Sequence, residues 1–254
     1  VIFFFCVSSH AQKNGDRLDF VLHAQRVRIC IWPDYYGITF RNPKTQLLEG
    51  VDAEMALELG KDLGVRVEFV DSDFAHLIND VTSKKCDVAM FAVGVTAQRT
   101  DKLRFSSPTM VSDMFAITTR TNRNIKVWAD IDKAGVVVVV MKGTLHEPVM
   151  RERLKLATLK VVETPMAREQ EVSSGRADVF MTDYPYSRRL LDNADWARLI
   201  EPSEPFSVLP YAYAVKQGDA AWLAAVDAFV SRIKADGRLL RAASHHSLKS
   251  IVVR

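Results

Sequence analysis

The chain has 254 residues, with 34 basic and 31 acidic side chains and a formal net charge of +3. That balance, with no basic stretch interleaved with aromatics, excludes nucleic acid as an expected partner. The length suffices for one generous core or two lobes of ordinary size, and an apolar fraction of 48% is that of a globular protein.

In chain order, the first feature is the apolar run "VIFFFCV", too short to cross a bilayer, followed by the small residues of "SSHA". This spacing predicts a secretory signal peptide over residues 1–11, cleaved after Ala11. No lipobox precedes Cys6 and no later segment has a spanning length of apolar residues, so the mature chain is expected free in an oxidising compartment. Cys30 and Cys86 then remain. Export permits a disulfide, but Cys30 lies inside an apolar strand and Cys86 at the start of another, out of step between parallel neighbours. The expectation is two buried free thiols.

Apolar periodicity predicts strands at residues 27–32, 65–70 and 87–93, separated by helices at 51–63 and 74–83. The same order returns with strands at 136–141, 159–163 and 178–182 and helices at about 145–156 and 166–174. "SKKCDVAMF" and "SGRADVFMT" hold equivalent places: a helix end, a basic residue, then Asp-Val opening a buried strand. Alternation of this kind implies right-handed crossovers and a parallel sheet in each half, and the valines at 136–140 suit a strand covered on both faces. The segment "ITTRTNRN", residues 117–124, is the expected first connection between lobes. After the proline-rich "EPSEPFSVLP" comes an extended segment at 211–215, then an amphipathic helix started by Asp219 and stopped at Asp236-Gly237. Its stripe of Trp222, Val226, Phe229, Val230 and Ile233 is expected to pack on the first lobe. The predicted division is residues 26–118 plus 211–254 for lobe 1 and 119–210 for lobe 2.

Ligands of open α/β sheets sit beyond the carboxyl ends of the strands. Arg99, in "GVTAQRTDKLRFSSP", stands at such a mouth and offers a planar fork of donors to a carboxylate, against the alternative of a surface pair with Asp101. Thr96 is expected to cap the following helix and offer its amide to the same oxygens. Asp183, at a mouth in the other lobe, suits an ammonium, its alternative being a helix cap for "YPYSRRLL". Gly143-Thr144 is read as a turn whose amides approach an anion. One lobe thus supplies a cation and the other an anion, matching the two ends of an α-amino acid. Trp32, Tyr35, Tyr36 and Phe74 fall where they stack on a ligand side chain or form cleft wall. His146 is read as either solvated or functional, and His245 and His246 are placed in a tail. No metal or cofactor spacing is present.

The ordered set "VDAEMALELGKDLG", "CDVAMFAVGVTAQRTDKLRFSSP", "VVVMKGT", "SSGRADVFMTD" and "YAYAVKQGD" resembles periplasmic solute-binding proteins of polar amino-acid ABC transporters, over about residues 27–237. The resemblance implies a type II periplasmic binding fold: α/β, two lobes, each a mostly parallel sheet flanked by helices, with a two-strand hinge. It further implies a periplasmic monomer that closes on one small molecule and passes it to a membrane permease. Carried over residue by residue, Arg99 matches the carboxylate-binding arginine, Thr144 the second-lobe hydroxyl, Asp183 the ammonium-binding aspartate, and Tyr35 and Phe74 the side-chain sandwich. Gly94 and Ala92 depart from the pattern, replacing small polar residues that help hold the carboxylate. Trp32 stands where receptors for basic amino acids carry an acid. The superfamily also resembles cyclohexadienyl dehydratases, but the stretch after "TD", Tyr184-Pro-Tyr186, has no carboxyl group to serve as general acid. A sensory domain of a membrane kinase is the third class, without its kinase segments here.

Overall fold

The computed structural model describes residues 16–253, so the expected signal segment at residues 1–11 lies outside the described residues. Helix α1 (Arg17–His23) opens the chain on Asp16, whose carboxylate accepts the Asp19 amide. Strand β1 (Arg26–Ile31) is followed by three short strands, β2 (Asp34–Tyr35), β3 (Thr39–Arg41) and β4 (Leu48–Glu49), which form a small sheet of their own. Helix α2 (Val51–Leu63) ends where Gly64 takes a left-handed conformation, φ 68°. Then come β5 (Arg66–Asp71), α3 (Leu77–Thr82), β6 (Val88–Gly94), the short α4 (Ala97–Thr100), β7 (Leu103–Phe105) and β8 (Met110–Ser112).

The second lobe is built from β9 (Met114–Thr119), β10 (Val137–Met141), α5 (His146–Arg153), β11 (Thr158–Val162), α6 (Pro165–Ser173), β12 (Val179–Asp183), α7 (Tyr184–Leu191) and β13 (Ala197–Ile200). The chain returns through β14 (Leu209–Lys216) and closes the first lobe with α8 (Ala220–Ala235) and α9 (Arg238–His245). The first sheet runs β5-β1-β6-β14-β7 with β8 also on β14, and the second runs β11-β10-β12-β9-β13. In each, the first three strands are parallel, and the strand that crosses between lobes enters antiparallel beside the third.

The repeated Asp-Val has a physical cause. Asp87 donates its amide to the Arg28 carbonyl and accepts the Arg28 amide on its carboxylate, at 2.8 and 2.7 Å. Asp178 makes the same exchange with Val137, at 3.0 and 2.8 Å. Each aspartate thus pairs both main-chain groups of the residue beside it and fixes where the third strand enters the sheet. α8 buries the predicted stripe against the first lobe, with Trp222 Nε1 donating to the Asp87 carbonyl at 2.8 Å.

Three expectations are corrected. Residues 117–119 belong to β9, paired with β12 and β13 in the second sheet, so the first crossing is not at 117–124 but at Asp113. The sequence there is as apolar as a strand on either side, and only pairing separates β8 from β9. Cys30 and Cys86 form a disulfide, with Cα atoms 5.5 Å apart. Cys86 precedes β6 and is still in the connection from α3, its amide reaching the Asp80 carbonyl, so in-sheet register does not govern its distance from Cys30. His245 and His246 are not in a tail: His245 ends α9, and His246 Nε2 contacts Glu54 of α2 at 2.7 Å.

Candidate functional site

β6 sets the first wall of the cleft. Ala92 has φ 49°, a left-handed value uncommon outside glycine, and β14 shifts register beside it, between Ala212 and Ala214. Asp52, the second residue of α2, holds this kink: its buried carboxylate accepts the Ala92 amide at 2.7 Å and the Tyr213 hydroxyl at 3.1 Å. The strand then delivers Gly94 to the cleft. A Cβ there would meet Leu145 Cδ2 at 3.4 Å and Arg99 Nη1 at 3.5 Å, ordinary contact distances, so the guanidinium lies directly against the strand end.

Arg99, on α4, is only 6% exposed. Its Nη1 donates to the Gly94 carbonyl at 2.9 Å, its Nη2 reaches the Gly143 carbonyl of the other lobe at 3.4 Å, and its guanidinium lies 5.1 Å from the Phe74 ring centre. The surface pair with Asp101 is not formed. Burial lowers its pKa to about 10, which leaves it charged at neutral pH.

Asp183, at the end of β12 and 5% exposed, fills both roles considered for it. One oxygen caps α7 by accepting the Tyr186 amide at 3.1 Å. The other accepts the hydroxyls of Tyr35 and, at 2.7 Å, Tyr211, both from the first lobe. Burial outweighs these donors and raises its pKa above the ordinary carboxylate value.

These residues line one cavity, together with Trp32, Tyr35, Phe74, Gly94, Thr144, Leu145 and Tyr211. Trp32, Tyr35 and Phe74 pack with ring centres 4.9–5.9 Å apart as one aromatic wall. Thr96 is not in the lining: its hydroxyl caps α4, accepting the Arg99 amide at 3.3 Å. Tyr36 is not there either, packing instead on Phe40 and Tyr186. The Gly143-Thr144 amides are not offered to an anion. Glu147 accepts the first and the Met141 carbonyl the second, while Gly143 serves as a contact between lobes.

Six lining residues were not assigned to the site from the sequence: Leu145, His146, Arg168, Thr182, Tyr186 and Tyr211. The four buried side-chain polar atoms without a hydrogen-bond partner among the described residues all belong to three of these: His146 Nε2, Arg168 Nε and Nη2, and Thr182 Oγ1. Burial, with Arg168 and Arg99 nearby, holds the His146 pKa down at about 3, so the ring is neutral. A signal for Arg168 exists in the sequence, since Pro165, Arg168 and Val172 share the buried stripe of α6. An arginine on an otherwise apolar helical face is the pattern to look for.

Among the described residues no helix is long and apolar enough to cross a membrane, and no His, Cys, Asp and Glu cluster has metal-binding geometry. A model of the bacterial extracellular solute-binding proteins, family 3, matches residues 27–247. The chain is 26% identical over 243 residues to the cyclohexadienyl dehydratase of Pseudomonas aeruginosa, covering 95% of this chain and 90% of that protein. It is 26% identical over 192 residues to the L-cystine-binding protein TcyJ of Escherichia coli K12, covering 76% and 71%. Among solved structures, it matches an ancestral amino acid-binding protein, described as a precursor of cyclohexadienyl dehydratase, with a TM-score of 0.83 and 29% identity over 90% of this chain and 98% of that one.

Proposed function

We propose that the chain, which belongs to family 3 of the bacterial extracellular solute-binding proteins, captures a small amino acid or a close analogue between its lobes in the periplasm and hands it to an ABC-transporter permease. One observation carries this reading: a buried guanidinium from the first lobe, Arg99, and a buried carboxylate from the second, Asp183, line a single cavity. A ligand bearing a carboxylate and an ammonium bridges them and stabilises the closed arrangement more than the open one. Asp183 accepts three hydrogen bonds of the roughly four a carboxylate can take, which leaves a position for the ammonium.

Capture proceeds without turnover in this reading, because Asp183, the one carboxylate lining the cavity among the described residues, is held by both lobes. A dehydratase is the second reading. It is favoured by the similarity to cyclohexadienyl dehydratase and by the raised pKa of Asp183, which a general acid needs.

Isothermal titration of the amino acids against wild type, Arg99→Ala and Asp183→Asn separates these readings. Each substitution leaves a ligand charge desolvated and unpaired, and is expected to weaken binding about 100-fold or more. Wild-type affinity in either variant overturns the bridging role. Conversion of prephenate or arogenate by the wild-type protein moves the conclusion to the dehydratase.

A further inference from the structure

The two ends of an α-amino acid engage Arg99 and Asp183 and leave the other buried cation of the cavity unanswered. Arg168 is 2% exposed, and its guanidinium lies 4.7 Å from the Phe180 ring centre and 4.4 Å from that of Tyr186. Its Nη1 donates to the Met181 carbonyl at 2.9 Å. Among the described residues Nε and Nη2 have no hydrogen-bond partner, and no carboxylate forms a salt bridge with this side chain. Aromatic faces offset only part of the cost of burying such a charge. The Nε and Nη2 hydrogens point the same way along one edge of the guanidinium, spaced to meet the two oxygens of a carboxylate in parallel.

Resting on the amino-acid reading above, we propose that the ligand carries a second acid group on its side chain, seated on the Nε–Nη2 edge of Arg168 beside the Thr182 hydroxyl. Charge balance points the same way. With His146 neutral, two guanidiniums against Asp183 leave one positive charge in the cavity, which a zwitterion with an extra carboxylate neutralises. A neutral amino acid leaves Arg168 unpaired. A diacid without an amine has nothing to donate to Asp183. A basic side chain would set a cation against Arg168.

The test is calorimetric titration of the whole mature protein with L-glutamate, L-aspartate, L-glutamine, L-asparagine and glutarate. Wild type is expected to bind at least one acidic amino acid about tenfold or more tightly than its amide. In Arg168→Gln that ratio is expected to fall to about one while the amide still binds, since Arg99 and Asp183 are untouched. Amides that bind wild type as tightly as the acids overturn the second-acid site and leave the amino-acid receptor standing. Glutarate binding more tightly than glutamate overturns the amino-acid reading itself, and with it this proposal. The wild-type ratio decides even where Arg168→Gln does not fold, and Arg168→Lys, which keeps the charge but not the paired edge, is expected to retain only part of the preference.

Discussion

Asp52 lies fully buried beneath the cleft wall, and its two hydrogen bonds do not compensate for the loss of water: burial pushes its pKa from 3.8 up to about 6. The folded protein therefore holds this proton more tightly than the unfolded chain. Its stabilising effect is fully present below the unfolded value and is lost as pH rises through about 6. Measured by urea unfolding, wild type is expected to lose roughly 2 kcal/mol relative to Asp52→Asn between about pH 4.5 and about pH 7.5. Parallel stability curves for the two proteins would place the carboxylate in water. Arg99 was legible in the sequence as a fork of donors directly after a buried strand, with a surface pair to Asp101 as the alternative that its burial rules out. Asp52 was not, since it sits in a helix that also carries the exposed charges Lys61 and Asp62, and for Arg168 the stripe of α6 marks a buried side chain while only packing shows what it faces.

Among the elements, the crossings decide how the lobes are joined. Asp113 stands between β8 and β9, and its carboxylate accepts the amides of Phe206 and Ser207, in the returning connection, at 2.8 and 2.6 Å, so one side chain ties the two crossing segments together. Away from the cleft, the disulfide joins β1 to the connection before β6 across 56 residues. Closing a loop of that length removes unfolded-state entropy worth about 4 kcal/mol in the chain-entropy model. The Cys30→Ala/Cys86→Ala double variant is expected to lose roughly that much in denaturant unfolding. Its ligand affinity is expected to stay at the wild-type value, because neither cysteine lines the cavity. A drop in affinity as large as the drop in stability would show that the bridge positions the site.

For the whole molecule, closure depends on one close approach. Gly143 has φ 76°, and a Cβ there would lie 2.6 Å from both the backbone nitrogen and the Cα of Ala75, across the cleft. Gly175 has a matching φ of 74° with nothing within 4 Å of the same point. Alanine at either position carries a similar conformational cost of about 1 kcal/mol, but only Gly143→Ala holds the lobes apart. That variant is expected to bind the wild-type ligand about tenfold or more weakly, with Gly175→Ala unchanged, as read by calorimetry. Equal affinities would mean that the lobes close elsewhere.

The sequence by itself determined the two α/β units, the return of the chain to the first lobe and the strand mouths where Arg99 and Asp183 stand. Those features are written in local signals: the period of apolar residues, the repeated Asp-Val, and helix caps such as Asp219. Only the tertiary structure decided that Cys30 meets Cys86, that Asp113 marks the crossing, that Tyr35 and Tyr211 reach Asp183 from the opposite lobe, and that Arg168 shares the cavity with its charge unpaired. Each depends on two or more segments far apart in the chain, brought together by sheet pairing and lobe closure. No local pattern encodes such a distance, because it is set by how the whole chain packs.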